Sequence, residues 1–285
     1  MSRILLESPG NNGAVGTMYL KTTRIYPNTL EAIILQLGGT VAPTKAQISR
    51  IVVKLGASTK PIWDITGTQL QSFNTYEGRG AGVATVLTLP FSNVRARTVE
   101  SQMLGALDFG AVGVREMIIE ITVTGGTAPT VTGWAEVAPP KLFGEGADEN
   151  QLFRAILVTP LVFAAAGNRV PQVIATAAQG GALLRRLVFD SALVTSYELR
   201  RDGVAFFEDT PLAVDNAYLT ELAHGTPVSQ YYFDAIDDDN ESKGLAQVRG
   251  DAGGLSLIPT QHLVTVSGAG TVPCLADLLA NINGL

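Results

Sequence analysis

One cysteine, Cys274, stands in 285 residues, so neither an internal disulfide framework nor a cysteine-based zinc site can form. Histidine is nearly as scarce. His224 and His262 lie far apart in the chain, and no His-x-His or His-Glu-x-x-His spacing occurs, which removes the ligands of cupin-type metal chemistry and of zinc peptidases. Charge is sparse at 16% of residues, and 20 basic against 26 acidic side chains give a pI near 5.0. A protein that grips nucleic acid along its length carries the opposite excess, so direct nucleic acid binding is not expected. Long apolar runs are missing as well. Ile4-Leu5-Leu6 stops at Glu7, short of a secretory core, and the run from Ile156 to Gly167 is broken by Thr159 and Pro160 before it could span a bilayer. Neither an export signal nor a membrane anchor is expected.

What the chain has instead is apolar mass. With 46% hydrophobic residues and a mean hydropathy of +0.23 it can bury a large core or large interfaces. Thirty glycines and fourteen prolines punctuate short stretches rich in Val, Ile, Thr and Leu, the pattern of an all-β sandwich or barrel. Strands are expected at 17–23, 30–37, 48–55, 83–89, 117–123 and 130–137, and again at 156–163, 172–177, 184–190, 195–200, 228–233 and 263–267. Ile119, Ile121 and Val123 alternate with Glu120, Thr122 and Thr124, as a half-buried strand requires. Two short helices are expected in the first half, near 66–76 and at 98–107, where Val99, Met103 and Leu107 recur every four residues.

The chain repeats itself. Val53-Lys54-Leu55, a turn, then Trp63-Asp64, Thr66, Asn74 and Tyr76 is echoed by Tyr197-Glu198-Leu199, a turn, then Phe207-Glu208, Thr210, Asn216 and Tyr218. Ile121-Thr122-Val123-Thr124-Gly125 is echoed by Val264-Thr265-Val266-Ser267-Gly268. Offsets of 142 to 144 residues held over nearly half the chain indicate two similar β-domains in tandem. The expected division is residues 1–138, a connector at 139–150 that opens with Pro139-Pro140, and residues 151–285. Up to residue 138 there are 11 basic and 9 acidic residues; beyond it there are 9 and 17. Such asymmetry suits two faces of an assembly.

Strand-turn-helix over 51–76, its copy from Tyr197-Glu198-Leu199-Arg200-Arg201-Asp202-Gly203 through Phe206 to Leu222, and the Leu104–Thr124 segment follow one another in an order that resembles a known family. In the last segment Leu104-Gly105-Ala106-Leu107 leads through Gly110 and Gly113 into Ile118-Ile119-Glu120-Ile121. The chain resembles the double jelly-roll major capsid proteins of tailless, membrane-containing double-stranded DNA phages, of the corticovirus type. The resemblance covers most of the chain and rests on order, length and duplication. It implies two tandem eight-stranded jelly rolls, homotrimers of pseudo-hexagonal outline in contact with neighbouring trimers of an icosahedral shell, and no catalysis. It also implies minor capsid or vertex proteins and an underlying viral membrane as partners, with synthesis in the host cytoplasm. If lipid lies beneath the shell, Arg185, Arg186, Arg200 and Arg201 are the natural residues to meet it.

Asp237, Asp239 and Glu241 form the sharpest polar feature, alternating within Asp234-Ala235-Ile236-Asp237-Asp238-Asp239-Asn240-Glu241. Packed carboxylates are stabilised by a hard cation, and three on one side of an extended loop suit calcium, an ion that matters in the resembled family. The same run also reads as a solvated acidic loop at the tip of a sandwich. Trp63, Trp134, Phe206, Phe207, Tyr231, Tyr232 and Phe233 lie in or beside expected strands and are expected to fill cores. The rival functional readings are a tandem β-sandwich phage spike or carbohydrate-binding module, and a jelly-roll enzyme. For the enzyme the chain offers no Gly-x-Ser-x-Gly elbow, and its glycine clusters lack phosphate-loop spacing.

Overall fold

A computed structural model describes the whole chain except residues 1, 11, 57, 80–82, 97, 142–150, 175–182, 223, 226–229, 237–239, 241–242, 252–253 and 282–285. Two compact units divide it, Met1–Ala155 and Ile156–Gly284. Most of the expected connector, residues 142–150, lies outside the described residues.

In the first unit, β1 (Ser2–Leu5), β4 (Thr29–Gly38), β7 (Val86–Pro90) and β10 (Thr130–Ala138) form one sheet in the order β1-β10-β4-β7, with β8 (Leu107–Asp108) beside β4. The remaining strands are β2 (Glu7–Gly10), β3 (Gly16–Thr22), β5 (Ile48–Leu55), β6 (Pro61–Ile65) and β9 (Met117–Val123), in the order β2-β3-β9-β5-β6. Helices α1 (Gly67–Tyr76), α2 (Val99–Met103) and α3 (Phe109–Val112) fill the connections. The alternation read at 117–123 is the burial pattern of β9, with Ile119, Ile121 and Val123 inside. Gly133 on β10 marks where packing is tightest. A Cβ there would stand 2.8 Å from the side chains of Leu6 and Leu20, so any larger residue pushes against this core.

β11 (Leu152–Phe163) carries the chain out of the first unit. In the second, β12 (Gly167–Gln172), β14 (Val194–Arg201), β15 (Val204–Pro211) and β20 (Thr260–Val266) run β12-β20-β14-β15. β13 (Leu183–Phe189), β16 (Tyr231–Asp234) and β21 (Gly270–Asn281) join β11 in the order β16-β13-β21-β11, and β17 (Leu245–Ala246) lies beside β13. β18 (Val248–Asp251) and β19 (Gly254–Leu257) make a separate hairpin, and α4 (Leu212–Glu221) follows β15 directly. Each unit is thus a jelly roll, two four-stranded sheets with small additions. The second core gathers Leu187, Phe189, Tyr197, Leu199, Tyr231 and Phe233 from both of its sheets.

Duplication is written into the pairing. β5 pairs with β6 and β9, and β14 pairs with β15 and β20, all antiparallel. The register corrects the sequence alignment by two residues. Val53 faces Trp63 and Leu199 faces Phe207, so Val53 corresponds to Leu199 and not to Tyr197. The difference lies in the turn. β15 resumes after only Asp202 and Gly203, with φ of +50° and +81°, the left-handed pair that a two-residue hairpin demands, while five residues separate β5 from β6. Two further expectations shift. The helix expected over 98–107 ends at Met103, because Leu107 pairs with Leu30 as part of β8, and Val99 is 70% exposed. The strand expected at 172–177 lies earlier, at β12, where polar Asn168 and Arg169 hide the alternation; residues 175–177 lie outside the described residues.

Candidate assembly surfaces

The repeated strand-helix pair has opposite fates in the two units. In the first, Thr66 ends β6 and caps α1: its hydroxyl accepts from the amide of Gln69 at 3.2 Å, and the Gln69 side chain accepts from the amide of Thr66 at 3.0 Å. Ile62, Trp63, Leu70, Phe73 and Tyr76 are then all buried. Arg154, fully buried, is the cover. Its carbonyl accepts from the Trp63 indole at 3.0 Å, its guanidinium lies 5.8 Å from the ring centres of Trp63 and Phe73, and it pairs with Glu77 at 2.6 Å. Arg154 also donates to the Pro90 carbonyl at 3.2 Å, and its amide donates to Gly105 at 2.8 Å. Nearby Lys141 donates to the carbonyls of Leu104 and Leu152, and burial pulls its pKa down to about 7 against the opposing pull of Asp108.

In the second unit the pair stands open. α4 has Pro211 at its N-cap with no side-chain cap, and its buried residues are Asp215 and Leu219. Phe207 turns inward against Tyr197 and Phe233, and the register shift between Leu199 and Arg200 leaves Phe206 as the extra residue of a bulge. Val204 is 70% exposed, Phe206 55%, Val214 60% and Tyr218 49%. Phe206 therefore does not fill a core as expected, whereas Trp63, Tyr231, Tyr232 and Phe233 do. Beneath α4, Asp215 has an oxygen without a hydrogen-bond partner, and burial, then Asp234, pushes its pKa up to about 7.

A cleft of about 350 Å³ in the first unit is lined by Glu31, Val99, Met103, Pro139, Pro140 and Lys141. Burial and the Glu136 charge hold the Glu31 carboxyl above its ordinary range, and one of its oxygens has no hydrogen-bond partner. Glu31, Glu100 and Lys141 are the titratable residues of this lining, which holds no histidine.

Asp237, Asp239 and Glu241 lie outside the described residues. Among the described residues no group of three or more His, Cys, Asp or Glu side chains is placed to hold a metal ion. Both histidines are buried; His262 shares a 2.7 Å hydrogen bond with the Tyr197 hydroxyl, and burial lowers its pKa to about 4. Cys274 is buried, which raises its thiol pKa. Of the four arginines expected to meet lipid, Arg185 and Arg186 are buried, and Arg200 and Arg201 are half-buried. Arg185 pairs with Asp277 at 3.1 Å and Arg186 with Asp234 at 2.7 Å, both buried, while Arg200 pairs with Glu198 and Arg201 donates to the Ala246 carbonyl. Arg154 was not singled out by the sequence, because an arginine three places into a strand gives no sign of being buried.

Residues 6–138 match the family model described as viral coat protein P2 N-terminal domain, and residues 153–282 match viral coat protein P2 C-terminal domain. No curated protein matches the sequence. Among solved structures, the chain is similar to the major capsid protein P2 of bacteriophage PM2, with a TM-score of 0.78 and 16% identity over 98% of this chain and 97% of that one. It is also similar to the STIV MCP, at 0.64 and 14% over 99% and 97%, and to the PBCV-1 virus capsid, at 0.58 and 12% over 98% and 94%. At these identities the structural likeness establishes the double jelly-roll fold.

Proposed function

The chain belongs to the viral coat protein P2 family, whose two domain models it matches in order, and from that premise we propose that three copies associate into a trimer of pseudo-hexagonal outline that tiles a closed shell. The observation that carries this reading is the duplicated pairing of β5 with β6 and β9, and of β14 with β15 and β20. Three chains with two like sandwiches each present six similar blocks, and six blocks pack as a hexagonal tile. A coat protein acts by self-association, and the spike or carbohydrate-binding alternative is not favoured. Light scattering on the purified chain tests the reading: the expected mass is that of a trimer, and a stable monomer at micromolar concentration overturns it.

Three finer points belong to the same proposal. Minor capsid or vertex proteins complete the shell after synthesis in the host cytoplasm. Lipid beneath the shell is met without Arg185 and Arg186, since both are held in buried ion pairs. Calcium at Asp237, Asp239 and Glu241 helps hold subunits together, a reading supported by the spacing of these carboxylates. Chelation is expected to lower thermal stability and particle integrity, and unchanged values remove the calcium point alone.

A further inference from the structure

We infer that the cleft at Glu31 is a binding site for a small aliphatic ammonium ion, with the Glu31 carboxylate as the group that holds its charge. Every lining residue belongs to the first unit, and the site is separate from the self-association proposed above. It begins with a bulge. Glu136 of β10 faces Ala32 and Val137 faces Leu30, so Glu31 is the extra residue on β4, a position that re-aims a side chain. The Glu31 carbonyl accepts from the amides of Phe91 and Ser92, both at 2.9 Å, which fixes the backbone, while the carboxylate Oε2 is buried without a hydrogen-bond partner. An unmet carboxylate oxygen away from water is costly, and a donor that brings positive charge removes the cost. The described cations nearby are already spent. Arg3 donates to Glu136 at 2.8 Å, Arg79 donates to the Ser92 carbonyl at 3.3 Å and lies 3.5 Å from Glu77, and Lys141 donates to the carbonyls of Leu104 and Leu152.

The walls decide the rest of the ligand. Val99 and Met103 stand one turn apart on α2, and with Ala138, Pro139 and Pro140 they make most of the lining apolar. The stripe read at Val99 and Met103, which does not enter the core, thereby gains a use. Two consecutive prolines carry no amide hydrogen, and Glu100 adds a second carboxylate, so an anion meets repulsion there. A hard metal ion, which needs about six oxygens, is equally ill served by such walls. An ammonium on an alkyl chain suits both parts of the cleft: its N–H donates to Glu31 Oε2, and its methylenes lie on Val99, Met103 and the prolines. The volume of about 350 Å³ is at the small end for a ligand site, room for a chain of a few carbons.

The test titrates the full chain with hexylammonium chloride and, separately, with 1-hexanol, reading affinity by isothermal titration calorimetry and location from methionine methyl resonances. Hexylammonium is expected to bind at least about tenfold more tightly than hexanol, because it alone supplies the charge-assisted bond. The Met103 signal should move, while those of Met18 and Met117, both buried in the core, stay in place. Glu31→Gln keeps the shape and removes the charge. It is expected to bring hexylammonium down to the affinity of hexanol, with a melting temperature equal to or above wild type, since a carboxylate held beside Glu136 is lost. Met103→Ala is expected to weaken both ligands. Equal affinity of the two ligands for wild type, an unmoved Met103 signal, unchanged affinities in Met103→Ala, or a preference for hexylammonium that survives in Glu31→Gln overturns the site and leaves the trimer reading intact. Should Glu31→Gln fail to fold, the comparison of the two ligands on wild type decides alone.

Discussion

Two copies of one strand-helix plan sit in this chain, and what separates them is a neighbour. β6 and α1 are sealed by Arg154, which accepts from one aromatic side chain, stacks near two and pairs with Glu77. On β15 the Arg201 guanidinium lies 5.7 Å from the Phe206 ring centre but does not bury it, and Phe206 and Tyr218 stay 55% and 49% exposed. α1 also begins with a reciprocal cap, whereas α4 begins with Pro211 and no side-chain cap. The comparison teaches that similar local sequence sets the element but not its burial. Burial is decided by what the rest of the chain, or another chain, lays on top.

The largest expected effect tests that contrast directly. In the dissociated chain Tyr76→Ala should cost about 3–5 kcal/mol of stability in urea unfolding, as deletion of a buried aromatic does, while Tyr218→Ala should change it by less than about 0.5 kcal/mol. Equal costs would break the comparison. Next comes the cover itself. Arg154→Met keeps most of the packing but removes one of the two arginines paired with the buried Glu77 carboxylate, leaving Arg79 at 3.5 Å, and a loss of about 2 kcal/mol is expected at neutral pH. If lowering the pH far enough to protonate Glu77 failed to shrink that loss, the ion pair would not be the reason for it.

A third prediction concerns pH. Asp215 has a folded pKa of about 7, above its unfolded value of 3.8, so the folded state binds the extra proton between them. Its contribution to stability is present below the unfolded value and is lost as pH rises toward 7 and beyond. Asp215→Asn should therefore raise the melting temperature by a few degrees at pH 8 and change it little at pH 4. An equal shift at both values would exclude the titration. The smallest effects concern the caps. Thr66→Ala should cost about 1 kcal/mol, whereas Pro211→Ser, which offers α4 the acceptor it lacks, should be neutral or add a few tenths. Differential scanning calorimetry resolves both.

Much of this architecture was legible in the amino acids. Short Val-, Ile-, Thr- and Leu-rich stretches between glycines and prolines located β3, β4, β5, β9, β10 and β13, and in β9 the period-two alternation also told which face is buried. The repeat revealed two units, since matched residues such as Trp63 and Phe207 occupy matched pairing positions. What stayed hidden was set by contacts distant in sequence. Nothing local distinguishes Arg154 or Arg186, fully buried, from Arg50, whose side chain is 58% exposed. Phe206 reads like any core aromatic until its neighbour Phe207 is found to hold the inward position. β21 escaped notice because Pro273 and Asp277 interrupt its apolar run, yet Asp277 is held inside by Arg185.

The position of Arg154 also fixes a timetable. It follows the last strand of the first sandwich, β10, by sixteen residues; Lys141 donates to the Leu104 carbonyl of that sandwich and to the Leu152 carbonyl, and the Arg154 carbonyl accepts from the Trp63 indole. A ribosome that has just released Ala138 has delivered every strand of the first jelly roll but not its keystone, so Trp63 and Phe73 wait unshielded while the next stretch emerges. A fragment cut at residue 138 should share this immaturity, whereas one cut after Ala155 carries its own lid.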